Sequence, residues 1–228
     1  MDTSELIKHL AADVKPMKHG PTLFARIAGW GVSMVLFGAV TVLIMGTRAD
    51  IHSVLYTPRF AIESLSILIA GIMAGVLALL LSSPGRRTRR YTVTAFIASG
   101  LWLISIVTAF VLQGSTESLL LGMKIGGIVC SQKVIGLAIL PALVLTALLR
   151  MGSVVAGRLA GALLLVAAGL FGMFALQFGC GSDNTAHLML YHLLPVAALG
   201  ILGWHLGTLL CGFESKLKRK KKEILSNR

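Results

Sequence analysis

The segment LAGALLLVAAGLFGMFALQF, residues 159–178, has no charged side chain and is as long as the roughly 20 apolar residues that a helix needs to cross a bilayer. Working outward from it, five further apolar segments of similar length are Ala25–Met45, Ala61–Leu81, Thr92–Val111, Ile128–Leu149 and Leu188–Leu210. Lipid cannot satisfy the backbone groups of an open strand or loop, so each segment is predicted to be a transmembrane helix. The fold class expected is therefore an all-α integral membrane protein with six transmembrane helices.

The composition supports a membrane protein. Of the 228 residues 56% are hydrophobic and 13% are charged, whereas a soluble domain has about 25% charged residues. A net charge of +12 in a soluble chain would indicate nucleic-acid binding, but here the basic residues lie in short stretches between apolar segments. Residues 1–20 are polar and the first apolar segment is long enough to span, so no cleaved signal peptide is expected.

The distribution of Lys and Arg predicts the orientation of the chain. Seventeen of the 21 basic residues lie in the segments that would share the side of the N-terminus, and only Arg48, Arg59, Lys124 and Lys133 lie on the other side. The positive-inside rule then places both termini on the cytoplasmic side of the membrane. We expect three parts: a cytoplasmic segment 1–24, a six-helix domain 25–211 and a basic cytoplasmic tail 212–228. The tail either lies near anionic lipid or binds nucleic acid, and lipid contact explains it more simply.

The N-terminal segment has the pattern of a short amphipathic helix. Leu6, Ile7, Leu10 and Val14 share one helical face, and about three turns end near Pro16, too short to span a bilayer. The helix either lies on the lipid surface or binds a cytoplasmic partner through this face, with Asp13 adding a directional polar contact.

A polar loop that follows residue 178 holds Cys180, His187 and His192. Because two spans separate Cys130 from Cys180, both thiols are predicted on one face of the membrane, and Cys211 on the opposite face. The pair is either a permanent bridge, two unrelated small side chains, or a sensor that responds to oxidation or a soft metal ion. The two histidines could complete a metal site, but their spacing of five does not place them on one α-helical face, which favours packing or hydrogen-bonding roles.

Several function classes lack support. No phosphate-binding loop, catalytic carboxylate pair or Ser-His-Asp arrangement is evident, so we expect a non-enzymatic protein without a cofactor. The one acid near a span, Glu63, lies four residues after Arg59 and is predicted to pair with it, which disfavours a transporter or pump. Small-residue motifs such as Gly71–Gly75 and Gly157–Gly161 predict close helix packing, either within the chain or in a dimer. Pro141 and Pro195 predict kinks in the fourth and sixth spans.

Taken together, the sequence resembles the NrsF family (negative regulator of sigma F) of integral membrane anti-sigma factors. The resemblance covers essentially the whole chain, and its most specific parts are LIKHLAAD at residues 6–13, Gly179-Cys180 and AHLMLYHLLP at residues 186–195. It implies an inner-membrane anchor that holds an extracytoplasmic-function sigma factor inactive and releases it under heavy-metal or oxidative stress. It also implies that Cys130 and Cys180 are periplasmic sensing thiols, with His187 and His192 as accessory residues.

In this interpretation Leu6, Ile7, Leu10, Asp13 and Val14 contact the sigma factor, and the protein does not bind nucleic acid directly. The main alternative is a membrane thiol oxidoreductase that passes electrons from periplasmic cysteines to a quinone. Such enzymes normally need a Cys-x-x-Cys pair, which the sequence lacks.

Overall fold

The computed structural model describes residues 5, 21–83, 88–113, 126–152, 154 and 156–211. Within these residues the regular structure is entirely helical, and no strand occurs. The predicted partner-binding residues lie outside the described residues, as does the tail 212–228; they are Leu6, Ile7, Leu10, Asp13 and Val14.

In the described part of the chain, six long helical units follow the six apolar segments. The helices are α1 (Leu23–Met45), α2 (Ile51–Val54), α3 (Pro58–Leu80), α4 (Arg89–Gln113), α5 (Gly126–Arg150), α6 (Gly157–Gln177), α7 (Thr185–Leu188) and α8 (Leu194–Leu210). A π-helical turn, Met189–Leu193, joins α7 to α8 and makes them one continuous unit. Each long unit begins two or three residues before its apolar segment, and in α1 and α3 a threonine side chain caps the N-terminal turn. Thr22 accepts a hydrogen bond from the Ala25 amide, and Thr57 accepts one from the Phe60 amide.

Five of these units are long and apolar enough to cross a membrane: α1, α3, α5, α6 and the α7–α8 unit. The sixth long helix, α4, has 25 residues and begins with Arg89 and Arg90. Large apolar side chains such as Phe24, Leu43 and Phe96 are exposed on the outside of the bundle, as expected for surfaces that face lipid. The chain is therefore an all-helical membrane protein.

Helix α6 lies at the centre of the bundle and packs against α3, α5 and α8. Helix α3 packs in turn against α4, and α1 lies over α3, α5 and α6. In the most apolar part of α3 and of α6, 67% of the residues are buried, against 17–22% in α1, α5 and the α7–α8 unit. Helices α3 and α6 thus form the core, and the other helices have one face toward lipid.

The contact between α6 and α8 depends on glycine. A Cβ atom added to Gly161 would overlap the backbone at Gly203 and Gly207, and one added to Gly207 would overlap the Gly157 carbonyl. The two backbones therefore touch, as in other small-xxx-small helix pairs in membranes. The other predicted motif also packs within the chain, since a Cβ at Gly75 would overlap the Trp30 indole.

The bundle has two polar ends. At one, which we call the cysteine end, the connection 46–57 meets the residues that follow α6: the Arg48 amide donates to the Phe178 carbonyl at 2.8 Å. At the other, the arginine end, Arg26 of α1 donates to Ser82 after α3 at 2.7 Å. Arg150 at the end of α5 donates to the Leu210 carbonyl of α8 at 2.8 Å.

Candidate functional site

The two predicted sensing thiols meet at the cysteine end. Cys130 lies near the start of α5, Cys180 follows the end of α6, and their Sγ atoms are 3.8 Å apart. Both are free thiols; Cys180 is buried and Cys130 partly buried. Cys130 and Cys180 therefore lie at the same end of the bundle, as the number of spans between them predicts. Cys211 lies at the arginine end, where its Sγ contacts the Gly157 carbonyl.

The end of α6 fixes the position of Cys180. The Cys180 amide donates to the Leu176 carbonyl at 2.8 Å, which extends the helical hydrogen bonding three residues past Gln177. Gln177 is itself held, since its Oε1 accepts a hydrogen bond of 2.7 Å from Ser64 of α3. The buried thiol is thus attached to the central helix pair rather than to a free loop.

The two histidines come together because the helix between them is not a regular α-helix. In an α-helix, residues five apart are separated by about 140° around the axis. The turn Met189–Leu193 is π-helical, with the Leu194 amide donating to the Met189 carbonyl, and this bonding brings residues five apart toward one face. The ring centroids of His187 and His192 are 5.4 Å apart. The expectation that a spacing of five separates these rings is therefore wrong, because it assumed α-helical geometry.

Each histidine has a distinct environment. His187 Nε2 lies 3.5 Å from Cys180 Sγ, and the His187 ring also contacts the Tyr191 ring at a centroid distance of 5.2 Å. His192 has no exposed surface. Neither of its ring nitrogens has a hydrogen-bond partner among the described residues. Buried polar groups usually have partners, and an unpartnered one costs about 1–3 kcal/mol.

Pro195 and the start of α5 hold the π-helical turn in place. Proline has no amide hydrogen to donate to the carbonyl four residues earlier, which is that of Tyr191. The Ser131 hydroxyl donates to this carbonyl at 3.1 Å. A Cβ on Gly127 would overlap the Tyr191 ring, so glycine allows α5 to approach the turn. The irregularity predicted at Pro195 thus takes the form of a π-helical turn, whereas α5 runs continuously through Pro141.

An arginine clamp lies beside the thiols. The buried Arg48 guanidinium donates to Asp183 at 2.7 Å and 2.8 Å and to Asp50 at 2.6 Å and 2.8 Å. The hydrogen bonds that Arg48 donates to Asp183, and then those to Asp50, raise the pKa of Arg48 further above its ordinary value. The hydrogen bond from Arg48 lowers the pKa of Asp50. Asp183 is three residues from Cys180, so the clamp ties the thiol loop to the connection after α1.

The predicted Arg59–Glu63 pair is confirmed. Arg59 Nε donates to Glu63 Oε1 at 2.8 Å, and Arg59 Nη2 donates to the Asp183 carbonyl at 3.1 Å. Sequence reasoning found this pair from its spacing of four, but it missed the Arg48 clamp. Arg48 and Asp183 are 135 positions apart, and no local pattern connects them.

The site brings four ligand-type atoms together. Those of Cys130, Cys180, His187 and His192 all lie within 4.8 Å of one another. Two thiols and two imidazoles at this separation support either thiol oxidation between the sulfurs or coordination of a soft cation. Of the sequence-predicted site residues, the four at the cysteine end are thus assembled in one place.

The chain matches the model of a known protein family. The family model described as NrsF, negative regulator of sigma F, matches residues 10–212. No curated protein and no solved structure matches the chain.

Proposed function

Because the chain belongs to the NrsF family of negative regulators of sigma F, we propose that it is a membrane-bound anti-sigma factor for an extracytoplasmic-function sigma factor. In the resting state it holds the sigma factor at the inner face of the bacterial inner membrane. Oxidants or heavy metals react at Cys130 and Cys180 and cause release. The observation that carries the sensing part of the proposal is the 3.8 Å approach of these two sulfurs.

The proposed topology has six spans with both termini in the cytoplasm. It counts α4 as a span together with the five helices that are apolar enough by themselves. The excess of Lys and Arg on one side supports this orientation. The cysteine end then faces the periplasm, where thiols can be oxidised, and the arginine end faces the cytoplasm.

The proposed contact with the sigma factor is the apolar face of the N-terminal segment. Leu6, Ile7, Leu10 and Val14 supply apolar contacts, and Asp13 supplies a polar one. An amphipathic helix that inserts one face into a groove of its partner is a common mode of peptide recognition. This segment precedes α1, whose Arg26 is bonded to Ser82 at the arginine end.

The proposed signal runs along α5. Helices α6 and α8 touch through backbone at their glycines, and α5 packs against α6 at Gly172, where an added Cβ would overlap the Val134 carbonyl. At the cysteine end α5 carries Cys130, which faces Cys180. The far end of α5 carries Arg150, which donates to the Leu210 carbonyl. A new bond at Cys130 shifts α5 against the α6–α8 pair and thereby changes the contacts of the arginine end.

The energy required is moderate. Moving the bound-to-free ratio of the sigma factor from 99:1 to 1:99 needs about 5.5 kcal/mol of differential stabilisation. A disulfide typically contributes about 2–4 kcal/mol, so thiol chemistry supplies a good part of this difference.

A reporter assay of the cognate sigma factor tests the sensing role. The intact protein should repress the target promoters and release them when cells receive an oxidant or Cd²⁺. The Cys130→Ser, Cys180→Ser double variant should repress but not release, while the matched control Cys211→Ser should respond like the intact protein. Normal release by the double variant would exclude the thiol pair as the sensor. If neither the intact protein nor any variant changes promoter output relative to cells that lack the protein, the anti-sigma function is excluded.

Co-purification of the sigma factor tests the proposed contact. Replacing Leu10 with Asp puts a charge on the apolar face and should abolish retention of the sigma factor in membranes. Lys8→Ala, which lies largely off this face, should leave retention unchanged. If membranes with Leu10→Asp retain as much sigma factor as membranes with Lys8→Ala, the segment docks elsewhere, for example on lipid.

A further inference from the structure

We infer that Cys130, Cys180, His187 and His192 form a single four-ligand site for a divalent d¹⁰ cation such as Zn²⁺ or Cd²⁺. The inference deepens the proposed function, and it rests on that proposal for its biological role. Metal binding itself is a property of the four side chains and can be measured without the sigma factor.

The spacing of the donor atoms fits tetrahedral coordination. A Zn–S bond of ~2.3 Å gives a sulfur–sulfur edge of ~3.8 Å in a tetrahedron, and a Zn–N bond of ~2.0 Å gives a sulfur–nitrogen edge of ~3.5 Å. The Cys130 and Cys180 sulfurs are 3.8 Å apart, and Cys180 Sγ lies 3.5 Å from His187 Nε2. All four donors lie within 4.8 Å of one another, so the remaining edges need to close by at most about 1.5 Å.

The buried, unpartnered ring of His192 gives independent support. A histidine kept only for packing could be replaced by an apolar residue without the cost of an unsatisfied polar group. His192 instead has two ring nitrogens without a hydrogen-bond partner among the described residues and no exposed surface. It lies on the same side of the π-helical turn as His187. Coordination of a cation would satisfy one of these nitrogens.

The charge of this donor set suits a buried position beside lipid. When both thiols lose their protons, two thiolates and a divalent cation sum to zero net charge, and the imidazoles stay neutral. A neutral cluster avoids the large cost of burying an unpaired charge. Binding therefore releases two protons, one from each cysteine, and involves no electron transfer.

The donor types also select the cation. Thiolate and imidazole together favour Zn²⁺ and its heavier relatives over Mg²⁺ or Ca²⁺, which take oxygen ligands. Three described carboxylates at the cysteine end are already used, because Asp50 and Asp183 bind Arg48 and Glu63 binds Arg59. The four soft donors are thus the available ligands in this part of the described structure.

The site also connects three helices that the proposed signal requires. Cys130 belongs to α5, Cys180 follows α6, and the histidines lie in the α7–α8 unit. A disulfide would join α5 to the end of α6 only, whereas a cation would also pull on the π-helical turn.

The decisive measurement is titration of the reduced, full-length protein in detergent with Cd²⁺. We expect one Cd²⁺ per chain and the ultraviolet absorption of cadmium thiolate. His192→Ala should weaken Cd²⁺ binding by more than about 100-fold, because loss of a ligand exceeds the effect of losing an outer-shell partner. The control His205→Ala, exposed near the opposite end of α8, should bind like the intact protein. Affinity of His192→Ala within about threefold of the intact protein would overturn the inference.

X-ray absorption of the intact, Zn²⁺-loaded protein gives a test that needs no variant. Two sulfur ligands at ~2.3 Å and two imidazole nitrogens at ~2.0–2.1 Å are expected. A first shell without imidazole, or no bound Zn²⁺, would overturn the inference. If release in the reporter assay requires the cysteines while the histidine site fails these tests, the proposed function stands without it. If the site binds Cd²⁺ as expected and the promoter never responds, the sensing function fails and the metal site stands.

Discussion

Replacement of His192 with Leu should have opposite effects on the metal-free and the metal-loaded protein. In the metal-free protein the buried ring has two nitrogens without partners among the described residues, a cost of about 1–3 kcal/mol. Leucine removes this cost, while repacking an apolar side chain of different shape costs less than about 1.5 kcal/mol. We therefore expect the free energy of unfolding of the metal-free protein to stay the same or to rise by up to about 2 kcal/mol.

Binding of Cd²⁺ should reverse the order of stability of the intact protein and His192→Leu. A ligand at 100 times its dissociation constant stabilises the folded state by about 2.7 kcal/mol. The intact protein should gain this stability, whereas His192→Leu should gain much less because it lacks a ligand. His192→Leu should thus be at least as stable as the intact protein without Cd²⁺ and less stable than the intact protein with Cd²⁺.

The assay is reversible unfolding in detergent, followed by tryptophan fluorescence, with and without Cd²⁺. Replacing the exposed His205 with Leu is the matched control and should leave the Cd²⁺ effect unchanged. A loss of more than about 1 kcal/mol in metal-free His192→Leu would refute the reasoning, since it would mean that the His192 ring makes stabilising hydrogen bonds.

Two further predictions concern the helix contacts and the arginine clamp. Gly161→Ala should lower the unfolding free energy by about 1–3 kcal/mol because its methyl group overlaps the α8 backbone. The matched control is Gly136→Ala in α5, whose methyl group would face open space. In the same unfolding assay this control should raise the unfolding free energy by about 0.4–1 kcal/mol. Arg48 lowers the pKa of Asp50 in the folded protein. The stabilisation by this pair is therefore present above about pH 3.9, the pKa of Asp in an unfolded chain, and it is lost as the pH falls through the lower pKa of folded Asp50. Carboxyl NMR should find the Asp50 pKa back near about 3.9 in Arg48→Gln; an unchanged pKa would show that another group lowers it.

Much of the architecture could be predicted from the sequence because lipid imposes simple rules. Apolar segments of spanning length predicted six long helices, and the structure places a long helical unit on each of them. The spacing of Arg59 and Glu63 predicted their ion pair, and counting spans predicted that Cys130 and Cys180 share one end. Each of these inferences depends on distance along the chain within one helix, or on the number of crossings.

The sequence also determined the family and the chemical type of the site, since residue identity carries both. Only the tertiary structure decided that Arg48 clamps two aspartates, that Gly161 meets the α8 backbone and that His187 joins His192. These contacts depend on the packing of helices far apart in sequence or on one π-helical turn. Side-chain periodicity assumes a regular α-helix, so it placed the histidines apart; Pro195 and packing against α5 hold the turn that brings them together.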